Sequence, residues 1–422
     1  MANTFSALGV RNYRLFAAGN LVSNIGTWMQ RVAQDWLVLE LTGGSGKALG
    51  ITTGLQFLPM VMFSPMAGVF ADRYSKRRVI AWAQVVLGVT AGVLGVLAIT
   101  GMVTTWHVYV ISFLFGTAAA FDTPARQAFV NEMVPIDELP NAVGLNSASF
   151  NLARMIGPAA AGLLIAALGS GVSATGWVIL VNAATYLAVI VSLMQMRADE
   201  LTPIDRLVRG KGQIRDGIRY VRSRPDIMLL MAIVFTAGTF GLNFQMTTAL
   251  MATEVYGKGA GEYGVLGSIL AIGSLTGSLL AARRAVSRQR LVIVAALAFG
   301  AVELVAGLMP TYLTFALMLP LCGITALTLI TGANALVQMS TDAAMRGRVM
   351  ALYLAIFMGG TPVGAPLLGW VAERYGARWT LIGGGAMTML GTLLATLVFA
   401  RSQNLMMWRT DEPVEPITSD LR

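Results

Sequence analysis

Charged residues are scarce in this chain of 422 residues, since Asp, Glu, Lys and Arg together make up 12% of it. Soluble domains carry about 25%. Hydrophobic residues account for 56%, and the mean hydropathy is +0.68. A soluble fold of this length cannot hide so much apolar surface, so most of it must face lipid or other buried helices. The composition therefore excludes a soluble protein and predicts a membrane protein with many spans.

Residues that commonly carry chemistry are equally scarce. The single cysteine, Cys322, lies in an apolar run and can form no internal disulfide, and the single histidine, His107, follows Trp106 at a predicted membrane interface. One histidine cannot build a metal site, and no serine elbow is present. A glycine-rich stretch around Lys47 departs from the phosphate-loop pattern at two required positions. The sequence thus predicts no enzyme, no cofactor and no metal.

Twelve apolar runs are long enough to cross a bilayer. The longest polar gap, Arg197 to Asp226, divides them six and six. We therefore predict an N-terminal segment (1–13), a first six-helix half (14–196), a linker (197–226), a second half (227–400) and a tail (401–422). The predicted spans are 14–41, 48–71, 79–101, 106–125, 141–168, 174–196, 227–252, 262–282, 291–309, 312–337, 349–371 and 379–400.

The net charge of +9 predicts orientation rather than nucleic-acid binding, because the basic residues lie in short loops between spans. Lys and Arg accumulate in cytoplasmic loops. With both termini inside, 24 of the 30 basic residues fall on the cytoplasmic side, four fall outside and two lie within spans. We therefore expect both termini, the linker and the tail to be cytoplasmic.

The two halves share local sequence patterns. Residues 141–162 lie over residues 348–369, with Gly157 opposite Gly364. Gly68 near the end of span two likewise corresponds to Gly277 in span eight. Two six-span halves related as parallel repeats are known in transporters. A chance coincidence of glycines is the alternative interpretation.

Three stretches carry a family resemblance. The loop GVFADRYSKRR from Gly68 to Arg78, the run FDTPARQAFVNEMVP from Phe121 and the run RGRVMALYLA from Arg346 resemble major facilitator transporters of the drug and siderophore exporter branch. The resemblance covers residues 12 to 400. It implies an all-α membrane fold with twelve transmembrane helices in two pseudo-symmetric six-helix halves around a central cavity.

The same resemblance implies the function. We expect a secondary transporter of the cell membrane, a monomer, that exports small amphipathic organic molecules such as drugs or siderophores by alternating access, driven by proton exchange. One departure concerns the arginine that many drug and proton antiporters carry in helix four, which would fall near Ser112 and is absent. A metabolite importer of the same fold is the alternative, followed by a non-transporting membrane receptor or enzyme.

The resemblance also implies a cytoplasmic gate. In this family the loop carboxylate, here Asp72, holds the two halves together, aided by the positive end of helix eleven. We expect Asp72, Arg126 and the segment near Arg348 to form this latch. The predicted gating residues are Gly68, Asp72, Arg73, Arg77, Arg126 and Arg348.

Span one predicts the transport pathway. Its polar residues recur at steps of three or four, so they share one helix face, and a charged side chain facing lipid costs about 2.5 to 3.5 kcal/mol. Arg31 and Asp35 lie one turn apart and form either a structural ion pair or, in the mechanistic hypothesis, a site where Asp35 binds a proton or substrate. The stripe is Asn20, Asn24, Thr27, Arg31 and Asp35.

Polar residues of other spans extend the predicted pathway. Asn151 and Arg154 precede Gly157 and Pro158 in span five. By family analogy spans seven and ten also line the cavity, adding Asn243, Thr328 and Asn334. The lone acid of span nine, Glu303, is interpreted as structural or interfacial, because the analogous helix is peripheral.

Overall fold

A computed structural model describes residues 5–202, 213–282 and 288–403, and every regular element in these ranges is helical. Each of the first six long helices corresponds to one predicted span, and most of their ends lie within three residues of the predicted ones. They are α1 (Arg11–Thr42), α2 (Gly46–Arg73), α3 (Lys76–Ile99), α4 (Thr105–Met133), α5 (Leu139–Ala167) and α6 (Val172–Gln195).

The later helices cover the other six predicted spans and add a short helix, α7, in the linker. They are α7 (Gln213–Arg222), α8 (Pro225–Thr236), α9 (Phe244–Leu250), α10 (Ala260–Ala282), α11 (Gln289–Gly307), α12 (Tyr312–Met339), α13 (Arg346–Tyr375) and α14 (Arg378–Gln403). The predicted tail falls largely on residues 404–422, which lie outside the described residues.

The seventh predicted span is an interrupted rod. A π-helical turn at Ala237–Gly241 follows α8, the helix breaks at Leu242 and Asn243, and a second π-helical turn at Met251–Val255 follows α9. Turns of π-helix are rare and often mark functional sites. The apolar periodicity predicted a span here but carried no sign of the break.

Ten helices of the described residues are long and apolar enough to cross a membrane. They are α3 to α6, the α8–α9 rod and α10 to α14. The remaining two long helices, α1 with 32 residues and α2 with 28, exceed the length of about 20 residues that a bilayer requires. Ten helices of the described residues are therefore candidate membrane spans by length and composition.

The chain divides into two compact units. The first unit joins Met1–Val208, of which 5–202 are described, with Asn243–Ala271 and Thr361–Thr380. Within it α1 packs mainly against α5 and α6, α2 against α4, and α3 against α4 and α6. Helix α9 also contacts α1 and α2. Residues from both predicted halves of the sequence thus contribute to this unit.

One end of the first unit has an aromatic core. Tyr13, Phe16, Ile80 and Phe129 are each at most 1% exposed, and the Phe16 and Phe129 rings meet edge to face at 5.8 Å. The Tyr13 hydroxyl donates to the Ala142 carbonyl oxygen at 2.7 Å. This core joins the N-terminal ends of α1, α3 and α5 to the C-terminal end of α4.

The second unit comprises Arg209–Leu242, Ile272–Gly360 and Leu381–Arg422. Within it α11 packs against α12, and both contact α8. Close helix contacts depend on small residues, because a side-chain carbon on Gly300 would lie 2.6 Å from the Gly385 carbonyl oxygen. These contacts place α14 directly against α11.

Candidate functional site

The carboxyl group of Asp35 is the most completely buried acid of α1, with 1% of the residue exposed. Its Oδ2 accepts a hydrogen bond from the Tyr263 hydroxyl at 2.7 Å and another from the Gln245 side-chain amide at 2.8 Å. Tyr263 lies in the first turn of α10 and Gln245 in the first turn of α9. All three residues belong to the first unit. Asp35 comes from the first predicted half of the sequence, and its two neutral donors come from the second predicted half.

Arg31, one turn before Asp35, has other neighbours. Its guanidinium carbon lies 4.6 Å from the centre of the Trp28 ring and 5.7 Å from that of Phe57. Its Nε has no hydrogen-bond partner among the described residues. Cation–π contacts of this kind stabilise an arginine by about 0.5 to 2 kcal/mol. Asp35 is thus held by neutral donors and Arg31 by aromatic faces.

A polar cluster joins α1, α3, α4 and α5 nearer the aromatic core. Arg126 pairs with Asp122 at 2.8 Å and also donates to the Asn20 side chain. Asn20 donates to Asn146 at 2.9 Å, and Gln84 donates to Asp122 at 3.1 Å. Two predicted residues, Asn20 of the pathway and Arg126 of the gate, therefore belong to one cluster.

Removing Arg126 from this cluster is expected to destabilise the first unit. Arg126→Gln leaves the Asp122 carboxylate, whose side chain is 11% exposed, without its counter-ion. We expect the free energy of unfolding to fall by about 3 kcal/mol, measured by reversible denaturation in detergent. The double variant with Asp122→Asn should recover most of that loss. Equal stability of wild type and Arg126→Gln would contradict the assignment.

Two further polar contacts lie along α1. The Thr27 and Tyr186 hydroxyls are 3.3 Å apart, and the Asn182 side-chain amide donates to the Tyr186 hydroxyl at 3.1 Å and to the side-chain oxygen of Gln30. Polar side chains thus follow α1 over several turns, all within the first unit.

Ser112 occupies the place of the absent antiporter arginine. It is fully buried, and its hydroxyl accepts from the Gln34 amide at 3.0 Å. It also donates to the Val108 carbonyl oxygen at 2.6 Å. The position therefore holds a neutral, hydrogen-bonded pair with α1.

The remaining predicted pathway residues of the first unit lie apart from the hydrogen bonds of Asp35. Asn151 donates to the Ser147 carbonyl oxygen at 2.9 Å, and the half-buried Arg154 leaves its Nε without a partner among the described residues. Asn24 is half-buried, and Asn243 is 3% exposed at the break before α9. None of these four joins the Asp35 bonds described above.

In the second unit, the predicted residues of α12 lie on a helix with self-satisfying threonines. Thr325 and Thr331 donate to carbonyl oxygens one turn earlier, at 2.8 Å and 2.5 Å. Thr328 is 8% exposed, and Asn334 accepts from Gln338. Such bonds stay within the helix, so they do not connect α12 to a neighbouring helix.

The predicted gate is described in part. Gly68 is half-buried in α2, Arg73 is exposed and Arg77 is half-buried. The side chain of Asp72 lies outside the described residues. The neighbouring Lys76 pairs with Glu132 at 2.6 Å. The latch thus stays a prediction.

Charges at the linker end of the second unit pair with acids. Arg348 lies 3.5 Å from the Asp216 carboxylate of α7. Arg224 pairs with Asp226 at 2.8 Å, and the hydrogen bonds that Arg224 donates to the Asp226 carboxylate raise the pKa of its guanidinium. The α7 helix therefore contacts the start of α13 through a charged pair that the sequence did not indicate.

Close glycine crossings hold the opposite end of the first unit together. A side-chain carbon on Gly162 of α5 would lie 2.3 Å from the Ala260 carbonyl oxygen, and one on Gly264 of α10 would lie 2.2 Å from the Pro158 carbonyl oxygen. Contacts under 3.0 Å are closer than real carbon atoms adopt. The backbones can therefore approach this closely only because both residues are glycine.

Several buried or half-buried polar residues were not predicted. Gln245 and Tyr263 lie outside the regular stripe, and only the structure shows that they reach Asp35. Gln30 and Gln34 carry a signal that could have been used, because two amides one turn apart in an apolar helix indicate a buried face. Gln84 and Asn182 are single polar residues within apolar runs and carry a weaker version of that signal.

Comparisons with known proteins identify a family of membrane secretion and efflux proteins. A family model described as transmembrane secretion effector, MFS_3, matches residues 2–414. Macrolide efflux protein A of Streptococcus pyogenes is 23% identical over 374 residues, covering 87% of this chain and 91% of that protein. The multidrug efflux pump Tap of Mycolicibacterium fortuitum is 28% identical over 383 residues, covering 87% and 90%.

A solved structure shares the fold. A bacterial homologue of the human lysosomal transporter Spinster, in an inward-facing and occupied conformation, matches with a TM-score of 0.74 at 15% sequence identity. The match covers 93% of this chain and 97% of that one. The all-helical fold is therefore confirmed, whereas the count of twelve transmembrane helices in two halves stays a prediction.

Proposed function

Because the chain belongs to the transmembrane secretion effector family of the major facilitator superfamily, we propose that it exports small amphipathic organic molecules in exchange for protons. Drugs and siderophores are the expected substrates. The two relatives described above are named for macrolide efflux and multidrug efflux, and both match over most of their length. These names support export over import.

The hydrogen bonds of Asp35 carry the proposal of proton exchange. A carboxylate accepts hydrogen bonds more strongly than a neutral carboxyl group does. Loss of a proton therefore favours the arrangement in which Tyr263 and Gln245 reach Asp35, and uptake of a proton favours its loosening. Because both donors come from the second half of the sequence, the protonation of Asp35 would bias an equilibrium between two arrangements of the helices.

The architecture follows from the family. We infer twelve transmembrane helices in two pseudo-symmetric halves, residues 14–196 and 227–400, which alternate in access around a central cavity. The length of α1 and α2 supports counting them with the ten spans. The excess of basic residues in alternate loops supports cytoplasmic termini in the cell membrane. The protein would function as a monomer.

An efflux assay in a bacterial host without its own exporters tests this function. Cells with the wild-type chain should accumulate less of a macrolide and less ethidium than cells with an empty vector, and an uncoupler should abolish the difference. A siderophore such as staphyloferrin A should be included as a separate substrate. Higher accumulation in the expressing cells would indicate an importer, and no difference for any compound would contradict export.

The predicted latch gives a second test. Asp72→Asn is expected to leave the amount of folded protein unchanged and to reduce transport several-fold, because the loop carboxylate would no longer hold the cytoplasmic ends together. The measurement is ethidium efflux normalised to protein in the membrane, with Asp199→Asn in the linker as the matched control. Efflux at the wild-type rate would refute the latch.

A further inference from the structure

A second buried acid lies in the second unit, in α11. Glu303 is 0% exposed, and neither of its carboxyl oxygens has a hydrogen-bond partner among the described residues. An ionised carboxylate without a partner is strongly disfavoured in a protein interior and in a membrane. A purely structural acid would be expected to have a donor or a cation beside it.

Two glycines make room for this carboxyl group. A side-chain carbon on Gly241 would lie 2.8 Å from Oε2, and one on Gly384 would lie 3.1 Å from Oε1. Gly241 closes the π-helical turn Ala237–Gly241, and Gly384 belongs to α14. The carboxyl group thus lies between an irregular backbone segment and a neighbouring helix, in a space that any larger residue would fill.

Charged groups are missing from the middle parts of the helices around Glu303. Residues 227–253 and 379–400 contain no Asp, Glu, Lys, Arg or His, and α12 contains none of them either. The titratable group that interacts with Glu303 across the helix contact is the buried thiol of Cys322 in α12. The nearest basic residue on its own helix, Arg290, is 13 positions away, which corresponds to about 20 Å along the axis.

We propose that Glu303 is a second proton-binding site, which holds a proton in this arrangement and releases it when the adjacent π-helical turn rearranges. Conversion of that turn to α-helix would shift its hydrogen-bond register by one residue and rotate the following segment. The rotation would move Gly241 away from the carboxyl group and open a path for the proton. The proposal rests on proton-driven transport, although its site is separate from Asp35.

Infrared spectroscopy tests the bound proton independently of transport. A protonated carboxyl group has a C=O stretch that a carboxylate lacks. The difference spectrum between the wild-type protein and Glu303→Gln in lipid nanodiscs at neutral pH should contain this band. A spectrum with carboxylate bands instead would overturn the proposal, even if export is confirmed.

Proton counting tests the release. Glu303→Gln keeps the size and the neutrality of the protonated carboxyl group, so the variant should fold and bind ethidium. It should release one proton fewer per transported molecule, and its transport rate should depend less on pH. Glu40→Gln, an exposed acid of α1, is the matched control and should behave as wild type. An unchanged proton count and pH profile in Glu303→Gln would overturn the release step. If the wild type itself moves no protons, the proposed function fails, and the infrared band still decides whether Glu303 binds one.

Discussion

Asp35→Asn is expected to reduce the rate of proton-driven efflux at least about tenfold. A tenfold change in rate corresponds to about 1.4 kcal/mol of activation free energy. Asparagine keeps an oxygen that can accept from Tyr263 and Gln245, so the helices around it should still pack. It cannot bind and release a proton at physiological pH. The measurement is ethidium accumulation in inside-out vesicles with an imposed proton gradient.

Exchange without a gradient separates coupling from folding. Asp35→Asn should retain exchange of labelled for unlabelled substrate across the membrane, because that reaction requires no net proton movement. Tyr263→Phe removes one of the two donors and keeps the acid, so it should shift the pH profile and lower the rate less. If Asp35→Asn transports at the wild-type rate with the wild-type pH dependence, Asp35 is not a coupling site.

Gly162→Ala is expected to abolish most transport by a different route. The added carbon would collide with the Ala260 carbonyl oxygen at 2.3 Å, and a backbone atom cannot rotate away. Helices α5 and α10 would then move apart where Gly162 meets Ala260. This separation favours the arrangement of the transporter that is open at that end of the first unit. Efflux should fall about tenfold or more, because the cycle requires both arrangements.

The matched control for this substitution lies on the same helix. A carbon added to Gly144 of α5 meets nothing within 4 Å, so Gly144→Ala should transport normally and improve helix propensity. Opening can be followed with Ala260→Cys in a Cys322→Ser background, labelled by a membrane-impermeant maleimide. Ala260 is fully buried, so labelling should be slow with Gly162 present and fast after Gly162→Ala. Slow labelling in both would refute the packing argument.

The sequence predicted the helices well because each span had to satisfy the same length and apolarity requirement. Every predicted span overlaps a helix, or the α8–α9 rod, and the family and the all-helical fold are confirmed. Asp35 was singled out correctly as a buried acid, since periodicity alone places it on a face that cannot meet lipid. Its role in transport stays a prediction.

The partners of the predicted residues could not be found in the same way. Periodicity assigns a residue to a face of its own helix but says nothing about which distant residue faces it. Arg31 and Asp35 are one turn apart, and this spacing suggested an ion pair. In the structure Arg31 packs on Trp28, and Asp35 accepts a hydrogen bond from Tyr263, 228 positions away. The space that holds the Glu303 carboxyl group depends on a π-helical turn, and such a turn leaves no signal in amino-acid composition or in hydrophobic periodicity.

The polar character of α1 has a consequence for biogenesis. Asn20, Ser23, Gln30, Gln34 and Asp35 are all buried in the finished fold, although they make α1 a poor substrate for insertion by itself. Helices α5 and α6, against which α1 packs, are synthesised more than a hundred residues later. We therefore expect stable insertion of α1 to depend on the later arrival of α5 and α6. The buried polar residues of α1 would thus make assembly of the fold depend on the order in which the helices are synthesised.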